Sequence, residues 1–318
     1  MGRAKKILVF FLRISISAAL LIFLFRRIRP AELWEIVRGA DALLMSAALC
    51  LTAAGYALCF FRWHMLLKLV GVEIRATSVL SAYGGGLFFG VLLPSTIGPD
   101  LVRSLDLAAQ TKKAPEVVAA VLLDRLSGFT GMVLVALTAL VLGARVIPDV
   151  RLIFVIFVFS AGLGAIIFIV FNTRAYELIK RLLHRESSGR FRTALVSIHR
   201  HMHQLRTHRA KIIENIGLSV CVQLLSPVAA LLVALSFGVK INFIYLLIFF
   251  PVITAVTMLP VSIAGLGLRD YTAVMLFAKV GIGADIAFAV SLIIFAFTIV
   301  CSCIGGLIYV FTVCHRRV

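Results

Sequence analysis

Two stretches of the chain combine proline, hydroxyl and arginine residues in the same order. The first is LPSTIGPDLVR, residues 93–103, and the second is LPVSIAGLGLR, residues 259–269. At a constant offset Arg103 aligns with Arg269, and Thr96 aligns with Ser262. A guanidinium presents a planar fork of donors that matches the geometry of a phosphate group. These residue types therefore predict recognition of a phosphate-bearing group.

Both stretches interrupt apolar segments, and the interruption is what must position these side chains. A helix broken inside hydrocarbon is tolerated only where the break is buried in protein or lines a watery cavity. Freed N–H groups at the start of a half-helix attract anions, and Ser95, Thr96 and Ser262 can cap them or bind a head-group oxygen. Paired broken segments in two halves of a chain indicate the binding site of a membrane transporter.

Several charged residues near the breaks allow a purely structural interpretation as well. Arg103 has Asp100 and Asp106 nearby in the sequence, and Arg269 precedes Asp270. Asp124 and Arg125 form either a local ion pair that orients a helix or a second anion contact. Arg62, beside a tryptophan, is predicted to anchor a helix at the membrane boundary. The candidate substrate-binding residues are Ser95, Thr96, Asp100, Arg103, Asp124, Arg125, Ser262, Arg269 and Asp270.

The composition indicates an all-α polytopic membrane protein. Of the 318 residues, 62% are hydrophobic, against about 45–50% in a soluble domain. The net charge of +18 is expected to reflect positive cytoplasmic loops and anionic lipid contacts rather than nucleic acid. No nucleophile with a base is evident, and the histidines of the long basic segment lack ligands to complete a metal shell. Neither a cofactor nor a metal is expected.

Long apolar runs and two shorter ones predict the membrane segments. The long runs are residues 7–25, 43–61, 124–142, 152–171, 216–237 and 286–313, and the shorter runs, 78–93 and 243–259, lead into the two breaks. Residues 174–211 carry ten Lys and Arg residues but only two acids, with apolar residues at helical spacing. They predict a basic amphipathic helix on the cytoplasmic membrane surface.

Fixing that basic segment inside the cell determines the predicted topology of the single membrane domain, residues 1–318. Each half becomes a span, a re-entrant hairpin and a span, and the two halves have opposite orientations. The first repeat is residues 43–145 with a re-entrant break at 94–103, and the second is 214–313 with a break at 260–269. Both termini are then cytoplasmic, although Arg26, Arg27 and Arg29 fall outside, against the positive-inside rule.

The sequence resembles the flippase-like family defined by the membrane region of lysylphosphatidylglycerol synthase. The resemblance rests on the stretch Arg62-Trp63, on LLPSTIGPDLVR, on LLDRLSG at 122–128 and on LPVSIAGLGLRD at 259–270. Gly98-Pro99-Asp100 replaces the family's more usual Gly-Gly-Asp, and Asp270 stands where Glu is common. The resemblance implies lipid translocation, with a substrate that varies across the family. The soluble aminoacyl-transferase domain of its two-part members is absent from these residues, so lipid aminoacylation by this chain alone is not expected.

Three hypotheses for function follow. In the favoured one, the chain moves an anionic phospholipid or a polyprenyl-phosphate lipid between leaflets of a bacterial-type inner membrane, and Arg103 and Arg269 hold the head group. In the second, it is an enzyme or membrane subunit of lipid-linked glycan, hopanoid or aminoacyl-lipid synthesis, with Asp100, Asp106 and Asp124 as acids or metal ligands. In the third, it is a non-catalytic partner in lipid or envelope biosynthesis. A homo-oligomer is compatible with all three.

Overall fold

The described residues of a computed structural model are all helical or connecting. The structure describes residue 15 and residues 30–92, 98–143, 150–171, 208–258 and 265–316. Within these ranges the helices are α1 (Pro30–Arg38), α2 (Ala42–Leu69), α3 (Ala76–Leu92), α4 (Gly98–Thr111), α5 (Ala114–Leu142), α6 (Val150–Phe171), α7 (Arg209–Ser236), α8 (Phe243–Thr257), α9 (Leu268–Ala278) and α10 (Ala284–Arg316). Apart from residue 15, the predicted helix at 7–25 lies outside the described residues, as does most of the basic segment at 174–211.

The lengths of these helices identify a multi-pass membrane protein. Five of them, α2, α5, α6, α7 and α10, are long and apolar enough to cross a bilayer. They match the predicted runs from 43–61 onward, whereas the shorter apolar helices α3 and α8 match the runs that lead into the breaks. The all-α polytopic fold class is therefore confirmed.

The sequence predicted that the helix α2 stops at Arg62. The helix instead continues to Leu69. Its extra turns are accommodated because the charge of Arg62 is paired with Asp124 and Trp63 is fully buried. Trp63 packs in a core of residues from α2, α3, α4 and α5 that includes Leu67, Val79 and Leu107. A second core joins α5, α7, α8, α9 and α10 and includes Ala48 of α2 and Leu152 and Ile156 of α6.

Each short apolar helix is followed, after a gap, by another short helix. The helix α3 ends at Leu92 and α4 begins at Gly98, with Pro99 in its first turn, where the missing N–H of proline costs no hydrogen bond. The helix α8 ends at Thr257 and α9 begins at Leu268. Gly265 and Gly267 precede α9 with φ of 76° and 77°, backbone angles that glycine adopts without a steric penalty.

Glycines let α3 and α10 approach at backbone contact. A Cβ on Gly84 would lie 2.4 Å from the carbonyl oxygen of Gly305. A Cβ on Gly85 would meet the Tyr309 ring, and one on Gly306 would meet Phe88. Small residues at such a crossing allow close van der Waals packing between membrane helices. The glycine run at 84–86 therefore serves helix packing.

The helix contacts have a paired arrangement. The helix α2 contacts α7. The contact of α3 with α10 corresponds to the contact of α8 with α5. The contacts of α4 with α3 and α5 correspond to those of α9 with α8 and α10. An exchange of 43–145 with 214–313 leaves this set of contacts unchanged. The inverted orientation of the two repeats and the re-entrant turns stay predictions.

Candidate functional site

A chain of buried ion pairs connects α2, α4 and α5. Arg62 of α2 donates from Nε to Oδ1 of Asp124 on α5 at 2.7 Å. The other oxygen of Asp124 accepts from Nη2 of Arg103 on α4 at 2.9 Å. The same Arg103 nitrogen lies 2.7 Å from Oδ1 of Asp100, and Asp100 also accepts from Nε of Arg125. We call these five residues the arginine network.

The network is held from two further sides. Nη1 of Arg62 donates to the hydroxyl of Ser219 on α7 at 3.1 Å, and Asn215 donates to the backbone carbonyl of Arg62. The guanidinium of Arg103 lies over the Trp63 ring at 4.6 Å from its centroid, within the range of a cation–π contact. The network therefore joins four helices rather than forming an open binding surface.

Burial gives the network a structural role. Arg62 and Arg103 are each 6% exposed and Asp124 is 5% exposed. A charge at such depth is retained only if it is paired and hydrogen-bonded, and removing one partner of a buried pair is strongly destabilising. The prediction that Arg62 is an interfacial anchor is therefore wrong, because its guanidinium turns inward to Asp124 and Ser219.

A second polar cluster forms where α9 begins. The carboxylate of Asp270, which is fully buried, accepts from the Gly267 N–H at 3.0 Å and from Nη2 of Arg269 at 2.7 Å. It also accepts from the hydroxyl of Ser291 on α10 at 2.5 Å. The Arg269 guanidinium lies 4.7 Å from the Phe295 ring centroid. Asp270 thus fixes the start of α9 against α10 and sets the direction of Arg269.

Arg269 lines a cavity of about 300 Å³ between the two broken segments, which we call the interbreak cavity. Its lining residues come from α2, from the ends of α3 and α8, from the starts of α4 and α9, and from α10. They are Tyr56, Leu87, Gly90, Val91, Pro99, Thr257, Gly265, Arg269, Phe295, Thr298 and Ser302. Arg269 is the one charged side chain among them, so it dominates the electrostatics of this space.

The predicted site residues thus fall into two groups and a remainder. Asp100, Arg103, Asp124 and Arg125 meet in the arginine network. Arg269 and Asp270 meet at the start of α9. Arg269 borders the interbreak cavity, whereas Arg103 is not among its lining residues. The sequence predicted that Arg103 and Arg269 hold one head group together. In the structure the two arginines do not border the same cavity. Ser95, Thr96 and Ser262 lie outside the described residues.

Four hydroxyl residues of the cavity were not predicted from the sequence: Tyr56, Thr257, Thr298 and Ser302. Each lies within or at the end of an apolar run, where a serine or threonine hydroxyl can bond a carbonyl of its own helix. Thr298 does bond the carbonyl of Ile294. Only the depth of Ser302 in a long apolar helix hints at a role, since polar residues inside a membrane are costly. Gln223, which links α7 to α5, and Asn215, which links α7 to α2, carry the same weak hint.

Comparison with known proteins is consistent with this architecture. The family model described as the lysylphosphatidylglycerol synthase TM region matches residues 10–305. That range contains α1 to α9 and most of α10, both broken segments and all residues of the arginine network. No curated protein matches the chain. By the extent of this match, the chain belongs to the family of the lysylphosphatidylglycerol synthase TM region.

Proposed function

We propose that this protein translocates an anionic or phosphate-linked lipid between the leaflets of the membrane. The observation that carries the proposal is the interbreak cavity, which borders both broken segments and presents Arg269. Such a site at the meeting of two discontinuous helices is where transporters bind their substrates. An intramembrane arginine that faces a cavity is typical of a substrate pathway.

The cavity suits a head group rather than a whole lipid. Among the described residues its otherwise apolar lining offers one guanidinium and four hydroxyl residues, so these groups replace the water that a head group loses on entering. The acyl chains have no place in a space of this size and would remain in the surrounding bilayer. The hydrophobic side chains exposed on α5, α6 and α10, including Leu134, Phe157 and Phe311, form the surface on which those chains lie.

Arg103 has a positioning role in this proposal. Its pair with Asp124 holds α4 against α5, whereas its pair with Asp100 lies within α4. Pro99, one residue before Asp100, forms part of the cavity wall and fits against Gly90, where a Cβ would lie 2.4 Å from the proline ring. Arg103 thereby sets the shape of the cavity without touching its contents.

The paired helix contacts support an alternating mechanism. In an inverted-repeat transporter, one half rocks against the other around a fixed central site. The exchangeable contacts of α3 with α10 and of α8 with α5 are the two interfaces that such rocking would alter in turn. Location in a bacterial-type inner membrane with both termini cytoplasmic is part of the same proposal.

Two of the three carboxylates named in the enzymatic alternative, Asp100 and Asp124, favour transport instead. Asp124 accepts from Arg62 and Arg103, and Asp100 accepts from Arg103 and Arg125. A carboxylate committed to two guanidiniums is a poor proton donor and a poor metal ligand, because either role requires an arginine to leave.

The proposal is tested with purified protein in liposomes that contain a lipid with a fluorescent acyl chain. Dithionite quenches the dye in the outer leaflet, and translocation exposes the dye of the inner leaflet to the same quencher. We expect a second, protein-dependent phase of quenching for a labelled anionic lipid. Liposomes with heat-unfolded protein provide the control. Equal quenching in loaded and protein-free liposomes would contradict the proposal.

A further inference from the structure

We infer that the interbreak cavity selects lipid head groups that carry a single negative charge and several hydroxyls, and that it disfavours head groups that carry amines. This inference rests on the proposed function, because it names the class of lipid that would be moved. A glycerol or sugar phosphodiester is the chemistry described.

The charge of the cavity favours an anion and opposes an ammonium. Arg269 is the one charged lining residue, and no carboxylate lines the cavity among the described residues. The nearest acid, Asp270, is fully buried and already accepts from Arg269, Gly267 and Ser291. An ammonium group in the cavity would therefore lie near the Arg269 guanidinium and would itself have no carboxylate partner. Like charges in such a site repel each other.

Arg269 keeps donors for a ligand. A guanidinium carries five N–H donors. Nε and Nη2 bond Asp270 and Ser291, whereas Nη1 donates to no residue in the described part of the chain. Phe295 supports the plane of the guanidinium from one face. The free edge of the fork suits one phosphodiester, which bears one negative charge.

The hydroxyl groups of the cavity support a preference for head groups that carry several hydroxyls. Thr257 and Thr298 donate their hydroxyl protons to carbonyls of their own helices, at 2.8 Å and 3.0 Å. Each oxygen retains lone pairs that can accept a further hydrogen bond, and Thr298 also bonds the side chain of Tyr56, another lining residue. A ligand that brings O–H donors matches acceptors of this kind. Phosphate oxygens bring none, so the hydroxyls must come from the rest of the head group.

Ser302 provides an independent sign of a missing ligand. Ser302 is 3% exposed and lines the interbreak cavity, and its Oγ has no hydrogen-bond partner among the residues that the structure describes. Buried polar groups nearly always have a partner in a folded protein. A hydroxyl-bearing head group would supply it, acting either as donor or as acceptor.

The test compares three labelled lipids in the dithionite assay, in liposomes of phosphatidylcholine. They are phosphatidylglycerol, its lysyl ester, which adds two ammonium groups, and phosphatidylcholine. We expect phosphatidylglycerol to move faster than either of the others by about tenfold or more, because of the repulsion from Arg269. Ser302→Ala and Thr298→Val should each reduce this preference by about two- to tenfold, the loss of one hydrogen bond.

Thr312→Val is the matched control for Thr298→Val. Thr312 lies on the same helix and bonds the carbonyl four residues earlier in the same way, but it does not line the cavity. It should leave the preference unchanged. Equal rates for the three lipids in wild-type protein would overturn the inference and leave lipid translocation standing.

If no lipid is translocated, a binding measurement separates the cavity assignment from the transport proposal. Thermal unfolding in detergent is followed with dihexanoyl phosphatidylglycerol and with dihexanoyl phosphatidylcholine. If no lipid is translocated but the glycerol lipid stabilises wild-type protein more than Ser302→Ala, the cavity assignment holds and the transport proposal fails. Equal stabilisation by both lipids, in wild-type and variant protein, counts against the cavity assignment.

Discussion

Arg62 and Asp124 lie 62 residues apart in the sequence and meet through a 2.7 Å bond between Nε and Oδ1. Both side chains are less than a tenth exposed, at 8% and 7%. The pair fixes α2 to α5, and the second oxygen of Asp124 brings in Arg103 and with it α4. The carboxylate of Asp124 is therefore the central acceptor of the arginine network.

Replacing Asp124 by Asn should unfold the protein far more readily. The substitution leaves the buried Arg62 guanidinium without its counter-charge and leaves Arg103 paired with Asp100 alone. Breaking a buried pair in this way costs about 3–5 kcal/mol. Thermal unfolding in detergent, compared with the wild type, measures the effect. Glu214→Gln is the control, because it breaks the ion pair with Lys211, whose side chains are about half exposed at 53% and 51%. That change should cost at most about 1 kcal/mol, and a similar loss in both variants would refute a special role for Asp124.

A single methyl group at the crossing of α3 and α10 should separate the two helices. Gly84→Ala places a Cβ against the Gly305 backbone, and overpacking of this kind costs about 1–3 kcal/mol. Gly162→Ala provides the comparison, since no atom lies within 4 Å of its Cβ. In the interior of α6 this change should stabilise the helix by up to about 1 kcal/mol. Opposite shifts in unfolding temperature are expected, and shifts of equal sign would argue against close packing at Gly84.

The inverted topology predicts opposite sides for two exposed lysines. Lys113 precedes α5 and is expected to face the cytoplasm, whereas Lys279 follows α9 and is expected to face the other side. Each is replaced by cysteine in a variant without the six native cysteines. A membrane-impermeant maleimide added to right-side-out vesicles should label position 279, and position 113 should react only after the vesicles are opened. Labelling of both from one side would exclude the inverted arrangement.

Helix positions follow from the sequence because they depend on local chemistry. The apolar runs predict α2, α5, α6, α7 and α10, and proline with glycine marks the ends of α3 and α8. The neighbours of Arg103 and Arg269 were among the alternatives considered, since Asp100 and Asp270 are close in the sequence. Those contacts lie within one helical turn.

Long-range contacts could not be predicted in this way. Nothing local indicates that Arg62 finds Asp124, or that Ser219 on α7 supports it. The separation of Arg103 from the interbreak cavity depends on how α4 packs against α5, and therefore on tertiary structure. The places of Thr298 and Ser302 in the cavity could not be predicted either, because a serine or threonine hydroxyl in a membrane helix can bond the backbone of its own helix.

The charge of Arg269 is the feature on which lipid translocation depends most directly. Removing Arg269 alone would leave the buried Asp270 unpaired, so we choose the charge-free double variant Arg269→Gln with Asp270→Asn. Exchange of a buried ion pair for neutral residues is often tolerated by the fold. Lys240→Gln, an exposed charge outside the cavity, provides the control for a lost cation.

The decisive measurement is the dithionite translocation rate of an anionic lipid, normalised to folded protein, for the double variant against wild type. If the interbreak cavity is the head-group site, the translocation rate of the double variant should be lower by about tenfold or more. Lys240→Gln should leave the rate unchanged. A folded double variant that moves the anionic lipid at the wild-type rate would contradict it.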